Sequence, residues 1–387
     1  MSWALKVATV RGIPIRVHVS FLLILLWAGW TGIANGRDDR WLANAGFMML
    51  FVLLLFICVV LHELGHSLVA QAFGVKVHDI TLWPIGGVAR LSNMPQRPLH
   101  EFLITAAGPL VNLVLAIGLA LLAALLIGPD RLLTAFLTGR GLTRLITAQT
   151  AESLALLLAL QNLLLAVFNL IPAFPMDGGR LLRSFMAGFL PFRTATRAAS
   201  HVGQGIALVL IALSFLSPGN FFLTLIGVFV FLGAWQERSQ VTLTQSLAGL
   251  TVGRAMQPLG MQLPASGTVV EAIQRTAASP QSAYAVVDNG RLVGLLTRRA
   301  LLRLGGKVKG GVLADASGTL GAQALGAQAL GPILRVPPDR PLLEAYAQIG
   351  SDQAAVVVDA ERGAAIGLIS RADIARLAEA LEILRTS

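Results

Sequence analysis

The chain has 387 residues, of which 55% are hydrophobic and only 13% are charged, so its composition excludes an ordinary soluble globular protein. Its net charge is +10, but the basic residues never form a run with interleaved aromatic residues, which argues against a nucleic-acid partner. The single cysteine, Cys58, excludes an internal disulfide.

Most of the hydrophobic residues lie in the first 235 positions, in runs that approach the roughly 20 residues needed to cross a bilayer. We predict about six membrane-spanning helices in this part of the chain. The candidate spans are Val17–Ala34, Ala45–Phe73, Phe102–Leu126, Leu154–Leu170, Val202–Leu216 and Phe221–Trp235.

Lysine and arginine residues are more frequent at the span ends that share a side with the N-terminus. By the positive-inside rule, this bias predicts a cytoplasmic N-terminus. Because the number of spans is even, the C-terminal part of the chain returns to the same side. We therefore expect a multi-pass protein of the cell membrane whose N-terminus and C-terminal domain are cytoplasmic.

Two short segments outside the predicted spans, residues 12–19 and 75–91, alternate apolar and other residues and are rich in β-branched residues. They predict a small β-sheet at the cytoplasmic ends of the helices; the alternative is a pair of ordinary interfacial loops. Gly86 and Gly87 lie within the second segment, and glycine in a strand permits close approach of another backbone.

The second predicted span contains the sequence His-Glu-Leu-Gly-His at residues 62–66. His62 and His66 are four residues apart, so one helix face presents both imidazoles to a single metal ion. Glu63 lies next to His62 and is placed to act as a general base. Because a charged residue is costly at bilayer depth, this cluster predicts a catalytic metal site within the membrane.

A catalytic zinc ion takes three protein ligands, and the best candidate for the third is Asp177. It lies in the segment Phe168–Arg180, where two prolines break the fourth predicted span and two glycines allow close approach of the backbone. The remaining histidines, which have no partner at ligand spacing, are His18, His78, His100 and His201.

The motifs HELGH and NLIPAFPMDGG, in this order and in separate hydrophobic segments, resemble the site-2 protease family of intramembrane zinc metalloproteases. The segment Ala107–Asn112 resembles the family's third-span motif, and Gly86 with Gly87 resembles its edge strand. The resemblance covers roughly residues 10–235.

This resemblance implies that one zinc ion is bound by His62, His66 and Asp177 and that Glu63 is the general base. It also implies regulated intramembrane proteolysis, in which a peptide bond in or near the transmembrane helix of a membrane-tethered protein is cleaved. The substrate expected from the family is a membrane-spanning regulator such as an anti-sigma factor.

Two asparagines and the two strand glycines are further candidates for contact with the substrate. Asn112 or Asn169 could donate a hydrogen bond to the oxyanion, or either could serve only an interhelical hydrogen bond. A substrate helix must be unwound before attack, and its backbone could then pair with the strand edge at residues 85–90, beside Gly86 and Gly87.

The C-terminal part of the chain contains an internal repeat of a strand, a turn, a strand and a helix start, at about residues 251–305 and 330–387. The repeat resembles a tandem pair of cystathionine-β-synthase-type (CBS) modules, a regulatory α/β domain. We expect a metalloprotease domain at residues 1–240, a linker at 241–250 and a CBS pair at 251–387.

The resemblance to CBS modules implies a site for an adenine nucleotide. The family's ribose-binding pattern is Thr or Ser, two residues, then Asp, which Ser370 and Asp373 match. In the first repeat Thr297 is followed by Ala300 at the aspartate position, so one site is expected rather than two. The alternative is a homodimerisation module without a ligand.

Together these features predict a multi-pass α-helical membrane protein with a small β-sheet and a C-terminal CBS pair, acting as a zinc metalloendopeptidase. The alternative function is a membrane transporter or channel gated by the CBS pair. A transporter has no need for Glu63 beside the two histidines or for Asp177 after a broken helix, so the sequence favours the protease.

Overall fold

The computed structural model of the chain divides into two compact units, Met1–Arg238 and Ser239–Ser387. Ile85 of the predicted edge segment and residues 330–332 of the predicted second repeat lie outside the described residues. The structure describes residues 3–34, 41–84, 86–92, 97–128, 145, 148–216, 220–289, 291–309, 333–350, 353–359 and 364–386.

The first unit is built mainly of long apolar helices. Those described are α1 Phe21–Ala34, α2 Trp41–Ala72, α3 Pro98–Ile127, α4 Ala151–Asn169, α5 Asp177–Ala187, α6 Phe192–Leu216 and α7 Phe221–Leu247, the last of which continues beyond Arg238 into the second unit. Five of them, α2, α3, α4, α6 and α7, are long and apolar enough to cross a membrane. The predicted multi-pass helical fold is confirmed.

The first predicted span differs from the prediction in its length. Helix α1 has 14 residues and begins at Phe21 rather than at Val17. The reason is that Val17 is taken up by a β-strand, Ile13–His18, in which it pairs with both neighbouring strands. Hydrophobicity alone does not separate an apolar strand from the helix that follows it.

The small β-sheet predicted from residues 12–19 and 75–91 is present in this unit. Its four strands are β1 Ala4–Val10, β2 Ile13–His18, β3 Val77–Trp83 and β4 Gly86–Leu91, hydrogen-bonded in the order β1-β2-β3-β4. The β2–β3 pair is parallel, and the other two pairs are antiparallel. Strand β4 therefore forms one edge of the described sheet.

One face of the sheet packs directly on the helices α2 and α3. Ile13, Ile15 and Ile80 of the strands are buried against Leu64 of α2 and Ile104 of α3. Burial of such branched side chains is the dominant favourable contribution to packing of a sheet against helices. This packing fixes the sheet beside the part of α2 that contains the His-Glu-Leu-Gly-His motif.

The chain reverses sharply between α4 and α5. A methyl group built on Gly178 would lie 2.2 Å from the carbonyl oxygen of Ile171, and one on Gly179 would lie 2.5 Å from the amide nitrogen of Phe174. Only glycine fits this close approach. The Gly-Gly pair therefore allows residues 170–176 to fold back onto the start of α5.

The described part of the second unit contains two small sheets. Most strands of each sheet come from one repeat. The sheets have the strand orders β6-β7-β8 and β5-β11-β10-β9. The strands are β5 Gln257–Pro258, β6 Gln262–Pro264, β7 Ala283–Asp288, β8 Arg291–Thr297, β9 Leu334–Val336, β10 Ala354–Val358 and β11 Ala365–Ser370. The helices are α8 Val252–Ala255, α9 Val269–Thr276, α10 Arg298–Lys309, α11 Leu342–Gln348 and α12 Arg371–Thr386.

Candidate metal centre

His62 and His66 lie on one face of α2, as their spacing predicts. Their Nε2 atoms are 3.1 Å apart, and their side chains are 9% and 12% exposed. The two rings meet edge to face, with centroids 4.7 Å apart. Two imidazole nitrogens therefore point at one small, largely buried volume.

Asp177, the first residue of α5, meets the two histidines. Its Oδ2 atom lies 3.4 Å from Nε2 of His62 and 3.2 Å from Nε2 of His66. The position at a helix N-terminus favours a carboxylate, because the helix dipole is positive there. The structure thus brings Asp177 together with two histidines that precede it by more than 100 positions in the chain.

The protonation of His66 is set by its second ring nitrogen. Nδ1 of His66 lies 2.8 Å from the carbonyl oxygen of Ile104 in α3, and a carbonyl can only accept. Nδ1 therefore carries the hydrogen, and the lone pair of Nε2 faces His62 and Asp177. Such a bond commonly orients metal-binding histidines.

These three groups fit a zinc ion. Zinc binds imidazole nitrogen and carboxylate oxygen at about 2.0–2.2 Å in tetrahedral geometry, which separates its ligand atoms by about 3.3 Å. The three ligand atoms here are 3.1, 3.2 and 3.4 Å apart. With the hydrogen on Nδ1, the lone pair of His66 Nε2 faces a carboxylate oxygen, which is unfavourable in a buried site unless a metal ion or a second ring proton lies between them.

Gly108 of α3 is a part of this site that was not predicted from the sequence. A methyl group built on it would lie 2.2 Å from Nε2 of His66 and 2.8 Å from Cε1 of His62. The backbone of α3 therefore lies directly against both imidazoles. The sequence signal for it is the Ala107–Asn112 motif, whose spacing alone indicates no role for the glycine.

Glu63 lies between the histidine pair and the edge strand β4. A methyl group on Gly87 would lie 2.8 Å from Cγ of Glu63, so the strand backbone contacts this side chain. Gly86, with a φ of +146°, adopts a conformation that strongly favours glycine.

The two candidate oxyanion donors differ in their surroundings. Asn112 is 1% exposed, and its Oδ1 has no hydrogen-bond partner among the described residues. It lies one helical turn beyond Gly108 on the same face of α3. Asn169 is partly exposed and is the last residue of α4. Within the described part of the chain, neither side chain hydrogen-bonds to the three converging residues.

In the second unit, Ser370 and Asp373 lie side by side at the junction of the two repeats. Oδ2 of Asp373 accepts hydrogen bonds from the amide and hydroxyl of Ser370, at 2.9 and 2.7 Å. It also accepts one at 2.6 Å from the hydroxyl of Ser282, which belongs to the first repeat. Nη2 of Arg376 donates to Oδ1 at 2.7 Å. Both carboxylate oxygens are thus engaged within the chain.

Comparison with known proteins gives two family matches. Residues 50–212 match peptidase family M50, and residues 261–306 match the CBS domain. The chain is 33% identical, over 76% of its length and 78% of the relative, to a zinc metalloprotease of Methanocaldococcus jannaschii. It is 32% identical, over 97% of its length and 92% of the relative, to the Rip3 protein of Mycobacterium tuberculosis.

Among solved structures, part of the chain is similar to the site-2 protease from Methanocaldococcus jannaschii. The two sequences are 34% identical over a match that covers 61% of this chain and 95% of that one, with a TM-score of 0.41.

Proposed function

The chain belongs to peptidase family M50, the site-2 proteases, and from this premise we propose that it cleaves a peptide bond in or near the transmembrane helix of a membrane-tethered protein. That it is a multi-pass membrane zinc metalloprotease follows from the family and from its apolar helices. The observation that carries the proposal for this chain is the convergence of His62, His66 and Asp177.

We propose that these three residues hold the zinc ion and that Glu63 is the general base. Zinc, when bound in such a site, lowers the pKa of a water molecule to about 7 and polarises a carbonyl group. Glu63 accepts a proton from the attacking water at its carboxylate and delivers it to the leaving amine. The hydrogen bond from His66 to Ile104 keeps the imidazole in the tautomer that can bind a metal.

We propose that the unwound substrate pairs with the free edge of β4. This strand ends the described sheet, and its Gly87 contacts Glu63, so a backbone added there would lie beside the general base. Backbone hydrogen bonds to the strand would replace those that the substrate loses on unwinding. The glycines Gly86 and Gly87 leave room for this second backbone.

Of the two asparagines, Asn169 is the better candidate for the hydrogen-bond donor to the oxyanion. It is partly exposed and ends α4 just before the turn that leads to Asp177. Asn112 is 1% exposed and so less accessible to a substrate, but its Oδ1 makes no interhelical hydrogen bond among the described residues.

The C-terminal CBS pair supports a regulatory role. We propose a division into residues 1–240, 241–250 and 251–387, with the CBS pair and the N-terminus in the cytoplasm, as the arginine and lysine bias favours. An adenine nucleotide that used Ser370 and Asp373 would have to replace the Ser282 hydroxyl on the Asp373 carboxylate. A homodimer formed through the CBS pair is the alternative role.

The substrate class that we propose is a membrane-spanning regulatory protein such as an anti-sigma factor.

The test compares the wild type with Glu63→Gln, in detergent, on a panel of single-span peptides, with the zinc content of both proteins measured. Glu152→Gln, the same chemical change near the start of α4, is the control. We expect Glu63→Gln to retain zinc and lose cleavage, and Glu152→Gln to retain both. Equal cleavage by Glu63→Gln and the wild type would refute the assignment of the base. A metal-free wild type that still cleaves the peptides would refute the proposed function.

A further inference from the structure

Arg183 is an almost fully buried cation. It lies outside the two sequence motifs and has no role in the proposed chemistry. Its side chain is 5% exposed. Its Nε donates to Oε1 of Glu101 at 2.9 Å, and its Nη2 donates to the same oxygen. Its Nη1 donates to Oε1 of Glu237 in α7. One guanidinium group is thus shared by two carboxylates.

Two aromatic rings complete the surroundings of this cation. The guanidinium carbon lies 5.2 Å from the ring centre of Phe174 and 5.0 Å from that of Phe192. Phe174 is fully buried in the turn before α5, and Phe192 is the first residue of α6. A planar cation that stacks on rings and forms paired hydrogen bonds is a role that arginine fills and lysine does not.

The ion pair of Arg183 with Glu101 joins two helices that both contribute to the metal centre. Glu101 lies in the first turn of α3, three residues before Ile104, whose carbonyl oxygen accepts the hydrogen bond from His66. Arg183 lies in α5, the helix that begins with Asp177. The ion pair therefore joins the helix that orients one histidine to the helix that provides the carboxylate.

We propose that Arg183 and Glu101 act as positioning residues for the metal centre, holding α5 against α3 so that Asp177 stays within reach of His62 and His66. This inference rests on the proposed function, because it takes those three residues as the ligands. The start of α5 has no side-chain cap, and the contacts of Arg183 with Glu101 and Glu237 are long-range polar contacts that hold this helix against its neighbours. Loss of the pair would leave the ligands present but badly spaced.

A purely structural role would lower the stability of the protein without a selective effect on the metal. The experiment therefore measures zinc affinity by chelator competition, the absorption spectrum of the cobalt-substituted protein, and the thermal midpoint, all on the full chain in detergent. The variants are Arg183→Gln, Glu101→Gln and the double variant. Phe21→Ala is the control, because it removes a buried ring that packs on Phe56 in a different part of the unit.

We expect each single variant to bind zinc about 10- to 100-fold more weakly, as changes to groups that orient metal ligands do, with an altered cobalt spectrum. The double variant should be no weaker than the weaker single variant, because the two residues act as one unit. Phe21→Ala should lower the thermal midpoint but keep the wild-type affinity and spectrum. Wild-type zinc affinity and spectrum in Arg183→Gln would overturn the inference.

If Arg183→Gln fails to fold, Arg183→Lys gives the same information, because it keeps the charge and loses the paired hydrogen bonds. A wild-type affinity in Arg183→Lys together with a wild-type spectrum would also overturn the inference. Failure of the proposed function is distinguishable from these results. In that case the wild type itself would bind no zinc, or His62→Ala would bind it as tightly as the wild type.

Discussion

A methyl group on Gly108 would lie 2.2 Å from Nε2 of His66, the atom that faces the other two residues of the candidate metal centre. The atoms that would collide belong to an imidazole held by its hydrogen bond to Ile104, so the ring cannot move away freely. The backbone of α3 therefore lines the site. It can lie this close to the imidazoles only because residue 108 is a glycine.

This relationship predicts that Gly108→Ala weakens zinc binding by about 10- to 100-fold or more, because the methyl group displaces both imidazoles. The matched control is Gly118→Ala in the same helix, where a methyl group would meet nothing within 4 Å. That change should leave zinc binding intact and stabilise the helix by about 0.5–1 kcal/mol. Metal content and chelator competition of both variants provide the check; equal zinc affinity in the two would contradict the prediction.

A second prediction concerns the contact between β4 and the proposed general base. Gly87→Ala places a methyl group 2.8 Å from Cγ of Glu63 and should shift its carboxylate. We expect cleavage to fall about 10²-fold, as a displacement of about 1 Å can cause, while zinc affinity stays unchanged. Gly46→Ala in α2, which meets nothing within 4 Å, is the control. A parallel loss of zinc in Gly87→Ala would show that the strand acts on the ligands instead.

The third prediction is a pH dependence of the small sheet. Asp79 of β3 is 2% exposed; its hydrogen bonds from Arg90 of β4 lower its pKa against the opposing effect of burial, and the charge of Arg16 adds to the lowering. A carboxyl group with a lowered folded-state pKa stabilises the fold above its ordinary pKa of about 3.9, and this contribution is lost as the pH falls through the folded-state value.

We therefore expect the wild type to be more stable than Asp79→Asn at pH 7, and the difference to shrink steadily below about pH 4. Thermal midpoints of the two proteins from pH 7 to pH 2.5 measure this. The double variant Asp79→Asn with Arg90→Gln serves as a reference that lacks both charges. A difference between wild type and Asp79→Asn that is the same at pH 3 and pH 7 would rule out the ion pair as its source.

A fourth prediction concerns the junction of the two CBS repeats. If Ser370 and Asp373 bind the ribose of an adenine nucleotide, Ser282→Ala should strengthen binding of AMP several-fold, because it frees an acceptor position on Asp373. Asp373→Ala should abolish it. Calorimetric titration of AMP into the full chain tests both. Unchanged AMP binding in Asp373→Ala would remove this pair from the site, and no binding by any variant would favour the dimerisation role.

Local spacing was enough to predict the parts of the candidate site that lie within one element. His62 and His66 share a helix face because they are four residues apart, and the two prolines before Asp177 predicted a break in the fourth span. In the structure a new helix begins at Asp177 after that break. The structure brings these residues together. The long apolar runs likewise predicted the helices, and alternation predicted the strands of the small sheet.

Contacts between distant segments could not be predicted in the same way. Glu101 and Arg183 are 82 residues apart, and nothing in the spacing of either one indicates the other. Gly108 contacts the imidazoles because of how α3 packs on α2, which depends on both helices at once. The first helix was predicted to begin four residues too early because an apolar strand precedes it. Residues 13–18 form that strand by pairing with β1 and β3.

The parallel pairing of β2 with β3 has a consequence for how the chain threads the bilayer. Ile15 of β2 is opposite Ile80 of β3, so both ends of the intervening segment lie on one side of the membrane. A segment that leaves a sheet and returns to it makes an even number of crossings. If α2 makes one, α1 must make the other, although at 14 residues it is only about 21 Å long. Counting by length leaves α1 out, whereas the pairing of β2 with β3 predicts that it crosses.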